Sequence, residues 1–231
     1  MSPFSMAGMG RPRGFTKHEV VLVTRDLFWQ RGYAGTSLDD LTAATGLGRG
    51  SLYAAFGDKH ALFMAALDSY CEAKHRGIVE DLRGAPTAYE GLVNHVRRVC
   101  HDNVTDTSRR GCLLAKAAAE LVPSDVVVAK RVKRTFDLYR RELAASVAEA
   151  QRQGDLDPAA DPDSTAALVL TVLRGLEAMR KLGATRATLT SATEQFLASL
   201  PRTSRRGSRR TSRVASPKPR PGPQPGRKAR P

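Results

Sequence analysis

The sequence predicts an all-α chain, and three observations carry that prediction. Apolar residues recur at three- and four-residue spacing along most of its length, the period of one helix face. Several of these stretches open on Thr, Ser or Asp and close on Gly or a Pro turn, the chemistry of helix starts and stops. No run of alternating Val, Ile or Thr competes as a strand, and no fixed-period repeat is found.

The elements follow in order. Val20, Val23, Leu27 and Phe28 share a helix face that starts at a Thr16/Glu19 capping box, in which each side chain satisfies a free backbone N–H, and stops at Gly32. After the turn Gly32-Tyr33-Ala34-Gly35, Thr36 or Ser37 caps a short helix with Leu38 and Leu41 inward, ending at Thr45-Gly46. A second short helix runs from about Arg49 to Phe56, where Leu52 and Phe56 form an i, i+4 pair that packs on the preceding helices. Asp58 caps the next helix, whose residues Leu62, Phe63, Ala66, Leu67 and Tyr70 continue the period towards Ile78 and join two domains. A turn at Gly84–Thr87 precedes a helix marked by Tyr89, Leu92, Val93, Val96, Val99 and Cys100, then a polar loop from Asp102 to Arg110. The segment Cys112 to Leu121 is apolar enough to be buried all round, and Pro123-Ser124 reads as a stop followed by an N-cap. A long helix with Val128, Val132, Phe136, Leu143 and Val147 inward extends to Gly154. Asp161-Pro162 opens a helix whose dense apolar residues, Ala166 to Met179, bury more than one face, and one face is expected to meet a second subunit. The last helix runs from about Ala187 to Leu200 and ends at Pro201.

Composition bounds the function classes. A hydrophobic fraction of 41% over 231 residues suffices for a real core. The net charge of +14 is concentrated in a tail: Pro201 to Pro231 holds 11 Lys and Arg and no acid, leaving 26 basic against 23 acidic residues before it. That tail is rich in Pro, Gly, Ser and Arg and is expected to be disordered, adding salt-sensitive, sequence-independent affinity for nucleic acid, or lying solvated with little consequence. Met1 to Gly14 has no apolar run with a cleavage site, and no stretch approaches the length of a membrane span, so a cytoplasmic protein with no membrane partner is expected. Cys71, Cys100 and Cys112 lack CxxC spacing. Cys71 with His75, and His95 with Cys100 and His101, lack the closed spacing of structural zinc motifs, so no metal and no cofactor are expected. No P-loop, G-x-G-x-x-G after a strand, G-x-S-x-G or H-E-x-x-H motif supports an enzyme.

Function concentrates in residues 32–63, GYAGTSLDDLTAATGLGRGSLYAAFGDKHALF. Two short helices joined by a tight Gly turn can set the second into the DNA major groove, which is wide enough for one helix. Arg49 opens that second helix, where it can reach guanine O6 and N7, and Ser51 and Ala54 are the next base-facing candidates. Gly50 lets the backbone approach closely. Thr36, Ser37, Tyr53 and Lys59 are candidates for phosphate contacts that fix register without reading sequence, although Tyr53 also suits a core and Lys59 a solvated surface.

The segment resembles the TetR family of bacterial regulators. Gly32-Tyr33, Thr36-Ser37, Gly46-Leu47, Gly50, Leu52-Tyr53, Phe56, Lys59 and Leu62 fall where that family's pattern places them, over about Thr16 to Tyr70. One departure is Gly48, where the family commonly has Ser: it can cap the helix but offers no side-chain oxygen to a phosphate. The resemblance implies a flexible arm at 1–13, a DNA-binding domain at 14–74 with its helix-turn-helix at about 37–56, a ligand-binding and dimerisation domain at 75–200, and the basic tail at 201–231. It further implies a homodimer on pseudo-palindromic, double-stranded operator DNA, joined through helices at about Asp163–Lys181 and Ala187–Leu200. Such a protein acts as a repressor, nucleoid-associated while DNA-bound and released by a small-molecule inducer. Tyr89, Leu113, Phe136, Tyr139 and Met179 are candidates to line an apolar inducer pocket, a pattern that an ordinary core shares. Cys112 is a candidate sensor thiol if accessible, with Arg109, Arg110 and Lys116 nearby in sequence, or a small core residue if buried.

Overall fold

The computed structural model describes residues 16–203; residues 1–15 and 204–231, which hold the expected N-terminal arm and nearly all of the basic tail, lie outside the described residues. Among the described residues are nine helices: α1 (Lys17–Arg31), α2 (Leu38–Thr45), α3 (Arg49–Phe56), α4 (Lys59–Arg83), α5 (Ala88–Thr105), α6 (Leu113–Leu121), α7 (Val126–Arg152), α8 (Pro162–Lys181) and α9 (Arg186–Ser199). Leu156 and Arg202 form an isolated bridge, with no strand among the described residues.

The local chemistry sets the helix ends. Thr16 and Glu19 form the expected capping box on α1, and Ser37, rather than Thr36, caps α2 in a second box with Asp40. Gly46 closes α2 in the left-handed region at φ 68°, which glycine enters without a Cβ penalty. The expected cap of α7 shifts by one residue: Asp125, not Ser124, accepts from the N–H groups of Val127 and Val128 at 2.9 and 3.0 Å. α5 continues to Thr105, so Asp102 belongs to the helix and the polar loop is shorter than its composition suggests. α6 was expected to be buried all round; it buries only Leu113, Leu114 and Ala117, while Ala119 and Glu120 are exposed.

Two main cores organise the chain. The first gathers Val20, Phe28, Leu41, Leu52, Leu62, Phe63, Ala66 and Leu67 from α1 to α4. It also takes in Leu113, Leu114 and Ala117 of α6 and Val128 and Val132 of α7, so the returning chain completes the N-terminal unit. The second gathers Ile78 and Leu82 at the end of α4 with Leu92, Val96, Leu143, Val147, Val169, Leu173 and Phe196 from α5, α7, α8 and α9. α4 contributes to both and is the rigid rod between them.

Candidate nucleic-acid interface and effector cavity

α2 and α3 meet across the Gly46 turn, and α3 buries only Leu52, leaving most of its surface outward. Arg49, Gly50, Ser51, Tyr53 and Ala54 all lie on that exposed surface, with Tyr53 keeping 45% of its area in solvent. A Cβ at Gly48 or Gly50 would meet nothing within 4 Å, so the protein's own packing does not require glycine there. The two glycines leave the backbone uncovered at the start of α3. Gly48 stands at the N-cap of α3 without a side-chain bond, as its lack of a hydroxyl implies. The Arg49 guanidinium lies 2.5 Å from the Asp39 carboxylate, which holds it across the outer faces of α2 and α3. Asp40 beside it is committed to the fold: the Ser37 hydroxyl and backbone N–H, followed by Arg31, bring its carboxyl down to about 2.

The expected phosphate contacts divide. Thr36 is a correction: it is fully buried, and its hydroxyl donates to the Gly32 carbonyl at 2.7 Å, so it closes the turn instead of facing outward. Ser37 is exposed at the start of α2, its oxygen bonded to Asp40. Lys59 is half-buried, with Nζ 4.3 Å from the centre of the Tyr33 ring, and burial lowers its pKa.

A polar seam between α6 and the helix-turn-helix unit escaped the sequence reading. The Glu120 carboxylate accepts from the N–H groups of Tyr33 and Ala34 at 2.8 and 3.3 Å. Lys116 donates to the carbonyls of Trp29 and Gln30 at 2.6 and 3.0 Å, neutralising the C-terminal end of α1. The Trp29 indole donates to the Gly111 carbonyl at 2.7 Å, and the Arg110 guanidinium covers its ring at 4.1 Å. On the opposite edge, His60 at the start of α4 lies 2.6 Å from Asp125 at the start of α7. Nothing local in the sequence links Lys116 and Glu120 to the N-terminal unit; only the folded chain shows that they reach back to the end of α1 and the turn after it.

Further along α4, a cavity opens between α4, α5, α7 and α8. Tyr70, Cys71, Lys74, His75 and Ile78 come from α4, Thr135, Phe136, Leu138 and Tyr139 from α7, and Arg174 from α8, with Cys112 at the mouth of α6. Its free volume is about 40 Å³, room for a few waters. Of the expected pocket residues, Cys112, Phe136 and Tyr139 share this wall. Leu113 is instead sealed in the first core. Tyr89 packs on the second core under the Arg202 guanidinium, 4.2 Å from its ring, away from the cavity. Met179 is 48% exposed on the outer face of α8, not inside at all. The Cys112 thiol is buried, so the small-core alternative describes its surroundings.

One wall of the cavity is a fixed relay. His95 Nδ1 lies 2.7 Å from Asp81 and its Nε2 2.5 Å from the Tyr139 hydroxyl. Burial pushes the His95 pKa down, against the pull of Asp81. The neutral ring therefore donates from Nδ1 to the carboxylate and accepts the Tyr139 hydroxyl proton at Nε2. A histidine whose pKa is depressed by folding binds fewer protons in the native than in the unfolded chain. Its contribution to stability is then complete above about pH 6.5 and is lost as pH falls below that value. Urea midpoints should accordingly fall between pH 7.5 and 5.5, and His95→Gln should flatten this segment of the profile; an unchanged slope would show that His95 is not its source.

Two family models match the chain. Residues 21–66 match the family model described as bacterial regulatory proteins, tetR family, and residues 90–196 match the tetracyclin repressor-like C-terminal domain. The HTH-type transcriptional repressor ComR of Escherichia coli (strain K12) is 28% identical over 178 residues, covering 76% of this chain and 84% of that protein. The uncharacterized HTH-type transcriptional regulator YezE of Bacillus subtilis (strain 168) is 30% identical over 150 residues, covering 64% of this chain and 77% of the relative. Among solved structures, a cysteine mutant of the regulator CifR in complex with 26-base-pair double-strand operator DNA superposes with a TM-score of 0.75 at 33% identity, covering 83% of this chain and all of that one.

Proposed function

Because the chain belongs to the TetR family of helix-turn-helix transcriptional regulators, we propose that it is a cytoplasmic repressor that binds a pseudo-palindromic operator as a homodimer and is released by a small effector entering the α4–α8 cavity. The observation that carries this reading is the exposed face of α3, where Arg49, Ser51, Tyr53 and Ala54 surround a glycine that the interior does not need. Arg49 is assigned to a guanine edge, with Ser51 and Ala54 beside it. Ser37, Tyr53 and Lys59 take phosphates, and Gly48 and Gly50 let the backbone approach. No helix among the described residues is long and apolar enough to cross a membrane.

The dimer reading rests on α8. Leu168, Val172, Gly175, Met179 and Leu182 recur at helical spacing, and Leu168, Met179 and Leu182 are 52%, 48% and 80% exposed. A Cβ at Gly175 would meet nothing within 4 Å, leaving room for a second helix to approach closely. Such a face used twice about a two-fold axis would close a dimer that presents one α3 to each half-site of a symmetric operator.

Release follows from the position of the cavity. Its resting volume is far below the roughly 300 Å³ of a typical small-molecule site, so an occupant must push α4 away from α7 and α8. α4 carries Leu62, Phe63 and Leu67 of the N-terminal core on the same rod, so that displacement reaches α3. The effector must bind the displaced state better than the DNA-bound one.

Selection of bound sequences from a random DNA pool by the purified full-length protein tests the reading. A two-fold symmetric site bound by two chains is the expected result. Tight binding without any enriched sequence would overturn it in favour of a non-specific DNA-coating role.

A further inference from the structure

We propose that the α4–α8 cavity takes a small monocarboxylate with an apolar body, its carboxylate received by Arg174 of α8 and the Tyr70 hydroxyl of α4. The inference rests on the reading of this cavity as the effector site and adds the chemistry of the effector. The wall contains Lys74, Arg98 and Arg174, together with His75 and His95, and no Asp or Glu side chain. These groups are not equally available. Arg98 is held by Asp81 and Asp102, while His95 and Tyr139 satisfy each other. Arg174 uses one Nη on Glu177 at 2.7 Å, and its Nε is buried with no hydrogen-bond partner among the described residues. The Tyr70 hydroxyl is likewise buried without a nitrogen or oxygen partner among the described residues, with only the weakly bonding Cys112 thiol beside it, in a residue only 4% exposed.

A buried polar group without a partner is unfavourable, and the wall holds three, Arg174 Nε, the Tyr70 hydroxyl and His75 Nδ1; the first two are donors on facing helices, one cationic, and define what would relieve both. A carboxylate supplies two acceptor oxygens and one negative charge, and carries no donor of its own to oppose the guanidinium. A primary amide replaces half of that acceptor surface with donors, and an amine adds a like charge. The rest of the wall, with Ile78, Val99, Leu114, Phe136 and Leu138, suits an aryl or short alkyl body. The resting volume of about 40 Å³ favours a small body, such as a single ring, which enters by displacing α4. Bridging Tyr70 to Arg174 ties the rod that carries the N-terminal core to the helix that bears the exposed apolar stripe.

Calorimetric titration of the full-length protein with three matched sets tests the assignment: benzoate, phenylacetate and hexanoate, each beside its amide and its amine. At least one carboxylate should bind tenfold or more tighter than its amide, with the amine weakest. Arg174→Gln and, separately, Tyr70→Phe should each remove most of that preference. Tyr70→Phe keeps the buried ring and loses one oxygen, so it remains informative if Arg174→Gln disturbs folding, which circular dichroism would report. Equal binding of carboxylate and amide, a preference for the amine, or no binding in any set overturns the proposal. A carboxylate preference that survives both variants overturns its placement. A carboxylate that binds through Arg174 without weakening operator binding upholds the chemistry and defeats the effector reading, so the two fail separately.

Discussion

Phe28→Ala lowers the unfolding free energy by about 3–5 kcal/mol, the cost of removing a large aromatic from a packed core and leaving a cavity. Phe28 is fully buried, with its ring edge-on to Phe63 at 5.1 Å and stacked with Tyr33 at 6.3 Å. The cost lies at the upper end because the surroundings resist collapse. α1 is held by a capping box at its start and by Lys116 and Trp29 near its end, so it cannot slide inward to fill the void. Urea denaturation of the full-length protein reads the effect directly. A loss under about 1 kcal/mol would mean that the N-terminal core repacks freely, contrary to the pinning described.

Arg49→Ala costs roughly ten- to a hundredfold in affinity per half-site of the selected operator and relaxes base preference at one position in each half-site. In the free protein the guanidinium rests on Asp39, with both side chains largely exposed. Exposed pairs of this kind are weak, so exchange of Asp39 for a guanine edge meets little resistance. The form of the loss separates a base reader from a phosphate contact. Loss of a base contact is confined to operators carrying the preferred base, whereas loss of a phosphate contact weakens every sequence alike and reduces the salt slope by about one per half-site. Fluorescence anisotropy on wild-type and singly altered operators at two salt concentrations decides between them. A uniform loss would remove Arg49 from the reading of sequence.

Much of this molecule was written in local patterns. The capping boxes at Thr16 and Ser37, the Asp58 and Asp161 caps and the glycine stops act within one turn of chain, so the helices could be placed from short windows. The exposed face of α3 followed from the same periodicity, since only Leu52 and Phe56 have to point inward. What escaped depended on contacts and exposure that spacing alone does not reveal. Thr36 has the composition of a phosphate contact, but its hydroxyl is taken by Gly32 four residues earlier, inside the turn. Met179 continues the apolar period of α8 yet lies on its outer face, because that helix is apolar on more than one side and spacing does not say which side the chain covers. The charges around the cavity were invisible for a related reason. Lys74, Arg98 and Arg174 sit on three separate helices, and only packing brings them to one wall.

The polar seam bears on how such a protein can be rebuilt. Tyr33 is hydrogen-bonded to a residue 87 positions later in the chain, and Gly32, at φ 80°, leaves no space for a Cβ beside that same carboxylate. A chimera spliced near residue 74 would transplant α1 to α3 and the start of α4 but sever them from Lys116, Glu120 and the Gly111 carbonyl. The grafted unit would then face a foreign α6, with the N–H groups of its turn and the Trp29 indole deprived of their acceptors. Exchange of DNA specificity between relatives therefore calls for a discontinuous transplant, the first four helices together with residues 110–128, while the remainder of the host is left in place.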